Sequence, residues 1–200
     1  MTPPSTRPAP KPKAPQSHEV RIIGGQWKRT KLQVADKPGL RPTPDRVRET
    51  LFNWLGQDLS DWRCLDAFAG TGALGFEAAS RGAVQVELVE TDPALVAQLK
   101  RMQDKLLAEA VRVTRGDGLL VLKQQAPASL NLVFLDPPFD SEMFEKVVAA
   151  AARAVSTSGF VYLEAPKIWL DDSLQSAGLQ VHRHLKAGKV HAHLLKPLAP

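Results

Sequence analysis

The chain reads Leu65-Asp66-Ala67-Phe68-Ala69-Gly70-Thr71-Gly72-Ala73-Leu74-Gly75 between an apolar strand pattern and a helical pattern. Glycine lets the backbone turn tightly and approach a ligand closely, as a loop at the carboxyl end of a parallel strand requires. Glu90 stands twenty residues after Gly70, at the end of the next predicted strand. A carboxylate in that place can accept both ribose hydroxyls of an adenosine cofactor. The stretch therefore predicts the first strand, loop and helix of an α/β fold that binds such a cofactor.

The same loop matches the Gly-x-Gly-x-x-Gly fingerprint of dinucleotide-binding folds through Gly70, Gly72 and Gly75, so the loop alone does not identify the cofactor. Asp66 and Phe68 crowd its entrance, where a carboxylate would repel a pyrophosphate. S-adenosylmethionine has no phosphate and carries cationic ammonium and sulfonium groups, which an acidic entrance attracts. We therefore predict S-adenosylmethionine as the cofactor.

Asp117 follows the third predicted strand, in Arg115-Gly116-Asp117-Gly118. In that position it can contact the adenine end of the cofactor. It can equally cap the helix that begins ahead of Leu119. The sequence leaves both interpretations open.

Strand and helix patterns alternate regularly from residue 63 onward. The predicted strands are 64–68, 84–90, 111–115, 130–136 and 160–164, and the predicted helices are 73–81, 93–107, 118–125, 141–155 and 167–177. Alternation of this kind predicts a doubly wound, Rossmann-like sheet that is mostly parallel. Residues 179–185 and 190–195 flank Ala187-Gly188 and predict a hairpin, so the sheet should end with an antiparallel strand.

A second chemical signal is Asp136-Pro137-Pro138-Phe139, directly after an apolar run. Two consecutive prolines remove two backbone N–H donors, so this loop offers carbonyl oxygens and one carboxylate. Such a site suits a substrate that donates N–H bonds, such as an exocyclic amino group, which the four residues would receive. Asp136 could instead cap a helix that begins near Ser141.

The basic character of the chain lies in its N-terminal quarter. The net charge is +5 overall, and residues 1–50 carry eleven Lys and Arg against four Asp and Glu. Residues 1–17 are rich in proline and predict a disordered tail, and residues 18–40 predict a β-hairpin extension. The hairpin carries Trp27, Lys28, Arg29 and Lys31, which could stack on a base and hold phosphates, although Trp27 could equally cover the core of the hairpin. The charge could also belong to a solvated surface.

Thr43 and Pro44 predict the beginning of a helix, with Thr43 as the N-cap and Pro44 at the first helical position. The apolar residues up to Leu55 lie on one face of that helix. Arg41, Arg46 and Arg48 could contact RNA phosphates, or they could form i,i+3 and i,i+4 pairs with Asp45 and Glu49.

Four blocks together resemble the bacterial 16S ribosomal RNA guanine-N2 methyltransferases of the RsmD type. The blocks are Arg41 to Glu49, Phe52-Asn53-Trp54, residues 65–83 and residues 136–139, and the resemblance extends over residues 19–196. It implies a class I methyltransferase domain over residues 41–200, with S-adenosylmethionine as the donor. It also implies a guanine of 16S ribosomal RNA as the acceptor, within the small subunit or an assembly intermediate.

The resemblance also implies residue roles. Asp66, Gly70 and Gly72 would hold the methionine part of the cofactor, Glu90 the ribose and Asp117 the adenine. Asp136 to Phe139 would receive the target base. An adenine-N6 DNA methyltransferase shares the Asp-Pro-Pro-Phe motif but should carry a larger target-recognition domain, and a non-catalytic RNA-binding assembly factor would explain only the basic hairpin.

Composition indicates an ordinary globular protein. No apolar run approaches the ~18 residues that span a membrane, and the single cysteine, Cys64, cannot form an internal disulfide. We expect a cytoplasmic monomer without a membrane partner. His182, His184, His191 and His193 alternate along two predicted strands, but no carboxylate or cysteine completes a zinc site, so no metal is expected.

Overall fold

The computed structural model of the chain describes residues 19–35, 37, 42–139 and 142–198. The predicted proline-rich tail therefore lies outside the described residues. Glu19–Arg21 (β1) and Lys31–Gln33 (β2) form a small antiparallel sheet, as the N-terminal pattern predicted. Within the described residues, no helix is both long and apolar enough to cross a membrane.

The main sheet has seven strands in the order β5-β4-β3-β6-β7-β9-β8. Its strands are Arg63–Asp66 (β3), Gln85–Glu90 (β4), Val111–Arg115 (β5), Leu130–Leu135 (β6), Val155–Ala165 (β7), Leu179–Ala187 (β8) and Val190–Pro197 (β9). The first five strands in this order are parallel, whereas β9 runs antiparallel to both β7 and β8. The predicted fold class, a doubly wound and mostly parallel sheet with an antiparallel end, is confirmed.

The sheet order reverses direction between β3 and β6. From β3 the chain moves outward through β4 to β5, and it then returns to the other side of β3 to form β6. A crevice opens at the carboxyl ends of the strands at such a switch point. The glycine loop follows β3 and the Asp-Pro-Pro-Phe loop follows β6, so both predicted sites lie at the same crevice.

The described part of the chain contains six α-helices. They are Asp45–Leu55 (α1), Ala73–Ser80 (α2), Pro93–Leu106 (α3), Gly118–Gln124 (α4), Phe144–Ala154 (α5) and Asp171–Leu174 (α6). The predicted helix over 167–177 is wrong over its first turn, because α6 begins only at Asp171 and a short 3-10 turn, Gln175–Ala177, follows it. The backbone N–H of Trp169 instead donates to His193 Nε2 at 3.0 Å, which keeps this segment against β9.

The predicted start of α1 needs a correction. Pro44 occupies the N-cap position, where it makes no side-chain capping bond, and Thr43 lies one residue further out. The Thr43 hydroxyl donates 2.6 Å to Glu164 Oε1 on β7 instead. A tertiary hydrogen bond has thus replaced the local cap that the sequence suggested.

Each face of the main sheet has its own core. One face carries Phe134 of β6 and Tyr162 of β7, which pack with α1, α2 and the N-terminal hairpin. The opposite face carries Val133 and Val161, which pack with α5. Burial of apolar side chains on both faces of a parallel sheet is the usual arrangement, and it holds the strand ends at the crevice in fixed positions.

Glu77 of α2 attaches the hairpin to the domain. Its carboxylate is fully buried and accepts the backbone N–H groups of Ile23 and Gly24, each at 2.7 Å. It also pairs with the guanidinium groups of Arg48 at 3.4 Å and Arg81 at 2.8 Å. One carboxylate of the helix that follows the glycine loop therefore holds the chain between β1 and β2.

Candidate active site

The glycine loop has the conformation that its sequence predicted. Gly70 and Gly72 have positive φ angles of 51° and 77°. A Cβ atom at Gly72 would lie 2.6 Å from Cδ2 of Leu99, so a side chain there would clash as well as strain the backbone. The loop therefore needs glycine at this position for both reasons.

Glu90 lies at the end of β4, directly against this loop. Its Oε2 accepts the backbone N–H of Gly70 at 2.9 Å, and its Oε1 accepts the N–H of Asp92 at 2.9 Å. Two carboxylate oxygens have about four lone-pair sites. The bonds to the backbone fix the carboxylate while leaving it able to accept hydroxyl donors from the crevice.

Asp66 is buried at the end of β3, beneath the loop. Its Oδ2 accepts the backbone N–H of Gly75 at 3.2 Å, and Phe68, half-buried, packs beside it against the second core. Burial raises the pKa of Asp66 to about 7, although hydrogen bonds from Gly75 and Phe68 act in the opposite direction. A cationic group placed at this carboxyl would favour its ionised form.

Asp117 caps α4, since its Oδ1 accepts the N–H of Leu120 at 3.0 Å. The capping interpretation is confirmed, and the adenine contact stays a prediction. The next residue brings this turn against the glycine loop, because a Cβ at Gly118 would come within 2.0 Å of the carbonyl oxygen of Ala67. The end of β5 therefore borders the same crevice as the glycine loop.

The Asp-Pro-Pro-Phe loop begins directly after β6. Asp136 is half-buried, Pro137 is buried, and Pro138 and Phe139 are exposed, with 39% of Phe139 accessible. Burial raises the pKa of Asp136 well above its ordinary value, and the neighbouring Glu164 and Asp66 carboxyls raise it further. An exposed aromatic ring beside a recessed carboxyl gives a surface on which a planar base can stack.

Glu164 of β7 is a further carboxyl at the crevice that the sequence analysis missed. Only 4% of it is exposed, and its Oε1 accepts the hydroxyls of Thr43 at 2.6 Å and Tyr162 at 2.9 Å. Burial raises the pKa of Glu164, against these two hydrogen bonds. The sequence did contain a signal, because this glutamate directly follows the run Phe160 to Leu163 within β7.

The predicted RNA-binding residues occupy different environments. Lys28, Arg29 and Lys31 of the hairpin are exposed, as is Arg46 on α1. Trp27 is half-buried and packs against the core, so its core-covering role is confirmed. Arg41 lies outside the described residues.

Arg48 cannot contact RNA in this fold, so its predicted role as an RNA ligand is wrong. Its side chain is completely buried. The guanidinium donates to the carbonyl oxygens of Thr43 and Arg21 and pairs with Asp45 at 2.7 Å, the i,i+3 pair that the sequence offered as the alternative. The helical pattern did not show that this position faces Glu77 rather than solvent.

The histidines at the far edge of the sheet form contacts among themselves. His184 Nε2 lies 3.0 Å from His191 Nδ1, and His193 Nε2 accepts the Trp169 backbone N–H. Burial lowers the pKa of His193 to about 4, so it is neutral at physiological pH. Among the described residues, no cluster of three or more His, Cys, Asp or Glu side chains is arranged to hold a metal ion.

Comparisons with known proteins agree on one family. The family model described as conserved hypothetical protein 95 matches residues 20–196. The ribosomal RNA small subunit methyltransferase D of Escherichia coli K12 is 41% identical over 186 residues, which cover 90% of this chain and 91% of that protein. The protein of the same name from Haemophilus influenzae is 42% identical over 154 residues, covering 74% of this chain and 80% of that protein.

Solved structures give the same result for the fold. An Escherichia coli structure described as a methyltransferase has a TM-score of 0.76 and 39% identity. The match covers 92% of this chain and 100% of the Escherichia coli chain. A Haemophilus influenzae structure described as a methylase has a TM-score of 0.73 and 33% identity. The match covers 91% of this chain and 100% of the Haemophilus influenzae chain. The described crevice therefore belongs to a methyltransferase-type sheet.

Proposed function

Because this chain belongs to the conserved hypothetical protein 95 family, the family of the ribosomal RNA small subunit methyltransferases D, we propose that it methylates the exocyclic N2 amino group of a guanine in 16S ribosomal RNA. The observation that carries the proposal is the meeting of two loops at the switch point of the sheet. The glycine loop follows β3 and would supply a cofactor site, and residues 136–139 follow β6 and would supply an acceptor site.

The residues of the cofactor site fit S-adenosylmethionine. Asp66 would hold the cationic ammonium, Gly70 and Gly72 would give the methionine part close access to the backbone, and Glu90 would accept the ribose hydroxyls. Phe68 would line the entrance and Asp117 would lie at the adenine end. These carboxylates suit a cofactor that is cationic and has no phosphate. When bound, S-adenosylmethionine supplies a methyl group on a positively charged sulfur.

The acceptor loop would activate the amino group through hydrogen bonds. The lone pair of guanine N2 is delocalised into the ring, so the group is a weak nucleophile. The Asp136 carboxylate and the Pro137 carbonyl would accept its two protons and draw the nitrogen toward tetrahedral geometry. Pro138 fixes the turn, and Phe139 would stack on the base, which must leave any helical stack to enter.

The exposed cations of the hairpin and α1 would contact the RNA backbone. Of the predicted RNA-binding residues, Lys28, Arg29, Lys31 and Arg46 are exposed and Trp27 is half-buried. Arg41, outside the described residues, stays a predicted RNA contact on the basis of the sequence. We also propose that the chain acts as a cytoplasmic monomer on the small subunit or one of its assembly intermediates.

A methyl-transfer assay tests this function. Tritiated S-adenosylmethionine is incubated with the protein and with 16S ribosomal RNA, assembled small subunits or duplex DNA, and the labelled nucleoside is identified. We expect N2-methylguanine in one of the RNA samples. N6-methyladenine in DNA would show a DNA methyltransferase instead, and RNA binding without transfer would show an assembly factor.

A further inference from the structure

Strand register places Glu164 beside Asp136. In the parallel pair of β6 and β7, Phe134 lies opposite Tyr162 and Leu135 opposite Leu163. Continued by one residue beyond β6, the same register pairs Asp136 with Glu164, and the Glu164 carboxyl acts electrostatically on the Asp136 carboxyl. Neighbouring strands are about 4.8 Å apart, so two carboxyls in this register lie side by side at the carboxyl edge of the sheet.

The alternation of side chains along β6 and β7, continued to Asp136, puts both positions on the same face of the sheet. Side chains alternate along a strand, so Asp136 shares a face with Phe134, and Glu164 shares a face with Tyr162. The rings of Phe134 and Tyr162 contact each other edge to face, with centroids 6.2 Å apart. The two carboxyls therefore extend this contact toward the crevice.

Two hydroxyl groups hold the Glu164 carboxyl in place. Thr43, just before α1, and Tyr162, on its own strand, both donate to Oε1. The carbonyl oxygen of Thr43 in turn accepts Arg48 Nε at 3.1 Å, so the buried arginine fixes Thr43 in place. The titratable groups that face Glu164 are thus Asp136, Asp66 and Tyr162, with Arg48 acting through Thr43.

Two adjacent carboxyls cannot both ionise readily, because the second negative charge is repelled by the first. Burial and the neighbouring carboxyls raise the pKa of Asp136, and burial raises the pKa of Glu164. Both donors to Glu164 bond to Oε1, which leaves Oε2 to carry the proton of a neutral Glu164.

We propose that Asp136 and Glu164 form a paired-carboxyl acceptor site that keeps one shared proton at neutral pH, with Glu164 as the positioning residue for Asp136. The inference rests on the proposed methyl transfer. As N2 forms its bond to the methyl carbon, the bond from that carbon to sulfur breaks and its electrons remain on sulfur. The nitrogen then carries a positive charge and loses one proton to the Asp136 carboxylate, which releases it to solvent. The protonated Glu164 holds Asp136 in place during this step.

Carboxyl titration tests the pair without any RNA. Asp and Glu side-chain carbons are labelled with carbon-13, and their shifts are followed by NMR against pH in the wild type, Asp136→Asn, Glu164→Gln and Asp66→Asn. We expect one carboxyl of the pair to be protonated at pH 7, and Glu164→Gln to leave Asp136 ionised there. If both carboxyls of the wild type are ionised at pH 7, the proposal is overturned.

Turnover tests the positioning role. A glutamine keeps the size of a neutral Glu164 and can still donate to Asp136, so kcat of Glu164→Gln should stay within about tenfold of wild type, the cost of one weakened hydrogen bond. Glu164→Ala should lower kcat by more than about 100-fold. Equal losses in both variants would show that the ionisable carboxyl itself is required, rather than a neutral donor of that size, and would overturn the proposal.

Two further variants keep the test decisive if Glu164→Ala does not fold. Tyr162→Phe and Thr43→Val each remove a donor that favours ionised Glu164, so the titration step of Glu164 should move to higher pH; an unmoved step contradicts the proposal. Glu87→Gln is the matched control, since Glu87 on β4 also accepts a threonine hydroxyl, from Thr114 at 2.7 Å, yet lies outside the pair. If the wild type transfers no methyl group to RNA, the proposed function fails, whatever the titration shows.

Discussion

Substitutions of Asp136 and of Glu90 should have different effects, because Asp136 belongs to the proposed acceptor site and Glu90 to the proposed cofactor site. Asp136→Ala removes the acceptor of the amino protons, so we expect kcat to fall by about 100- to 10,000-fold. Its affinity for S-adenosylmethionine, measured by calorimetry, should stay close to wild type.

Glu90→Ala should weaken cofactor affinity, by about 1–3 kcal/mol for the loss of hydrogen bonds to a charged group. Near-normal turnover by Asp136→Ala would contradict the role given to that carboxylate.

Residues whose roles depend on distant partners could not be predicted from the sequence alone. The glycine loop, Glu90 and the Asp-Pro-Pro-Phe loop could be placed at the ends of their strands from the sequence, because local backbone chemistry defines them. Thr43 and Arg48 were misjudged because their partners, Glu164 and Glu77, are distant in sequence. A local pattern indicates a cap or a solvent-exposed charge, whereas the choice between that and a buried partner is made by tertiary packing.

Among the elements, the N-terminal hairpin carries the proposed RNA surface. Reversing Lys28, Arg29 and Lys31 to glutamate should weaken RNA binding and reduce the slope of log affinity against log salt by up to about three. The matched control reverses Arg183, Lys186 and Lys189, three exposed cations on the β8–β9 hairpin at the far edge of the sheet. Filter binding at several salt concentrations measures both. Equal losses in the two triple variants would show that the effect is one of net charge and not of the hairpin.

The attachment of this hairpin depends on Glu77. Glu77→Gln leaves Arg48 and Arg81 without their buried carboxylate, and breaking a buried ion pair costs about 3–5 kcal/mol. We expect a loss of that order in the free energy of unfolding, measured with urea. Glu49→Gln on the exposed side of α1 is the control and should change stability by less than about 0.5 kcal/mol. A stability loss no larger than that of the control would show that the buried network contributes little.

At the scale of the whole molecule, the sheet was predictable because its periodicity and connection lengths leave few topologies. Right-handed crossovers and the glycine loop together place β3 at the switch point. The sequence did not indicate that residues 167–170 are non-helical, because that segment is held by a bond from Trp169 to His193, two strands away in the chain. The crevice could therefore be located from sequence, but not the segments that support it from β7 and β9.

Two buried groups give the folded molecule opposite responses to pH. The pKa of Asp66 is raised to about 7, so between pH 4 and 7 the folded state binds more protons than the unfolded state, and stability falls as pH rises. The pKa of His193 is lowered to about 4, so between pH 4 and 6.5 the unfolded state binds more protons, and stability rises with pH. Each slope approaches about 1.4 kcal/mol per pH unit at most. In the wild type the contributions of Asp66 and His193 to the pH dependence of stability oppose each other. Each contribution is therefore measured as the difference in stability between the wild type and a variant that lacks the group.

The stability of Asp66→Asn relative to wild type should therefore rise as pH rises from 4 to 7. The stability of His193→Gln relative to wild type should fall over the same range. Glutamine at position 193 can still accept the Trp169 N–H through its carbonyl oxygen, so the comparison isolates the titration from the hydrogen bond. Urea unfolding at pH 4.5, 5.5, 6.5 and 7.5 measures both differences. Added S-adenosylmethionine should reduce the Asp66 difference, because its ammonium favours the ionised carboxyl. A profile of Asp66→Asn that runs parallel to wild type would show that Asp66 is ionised in the folded protein at every pH tested.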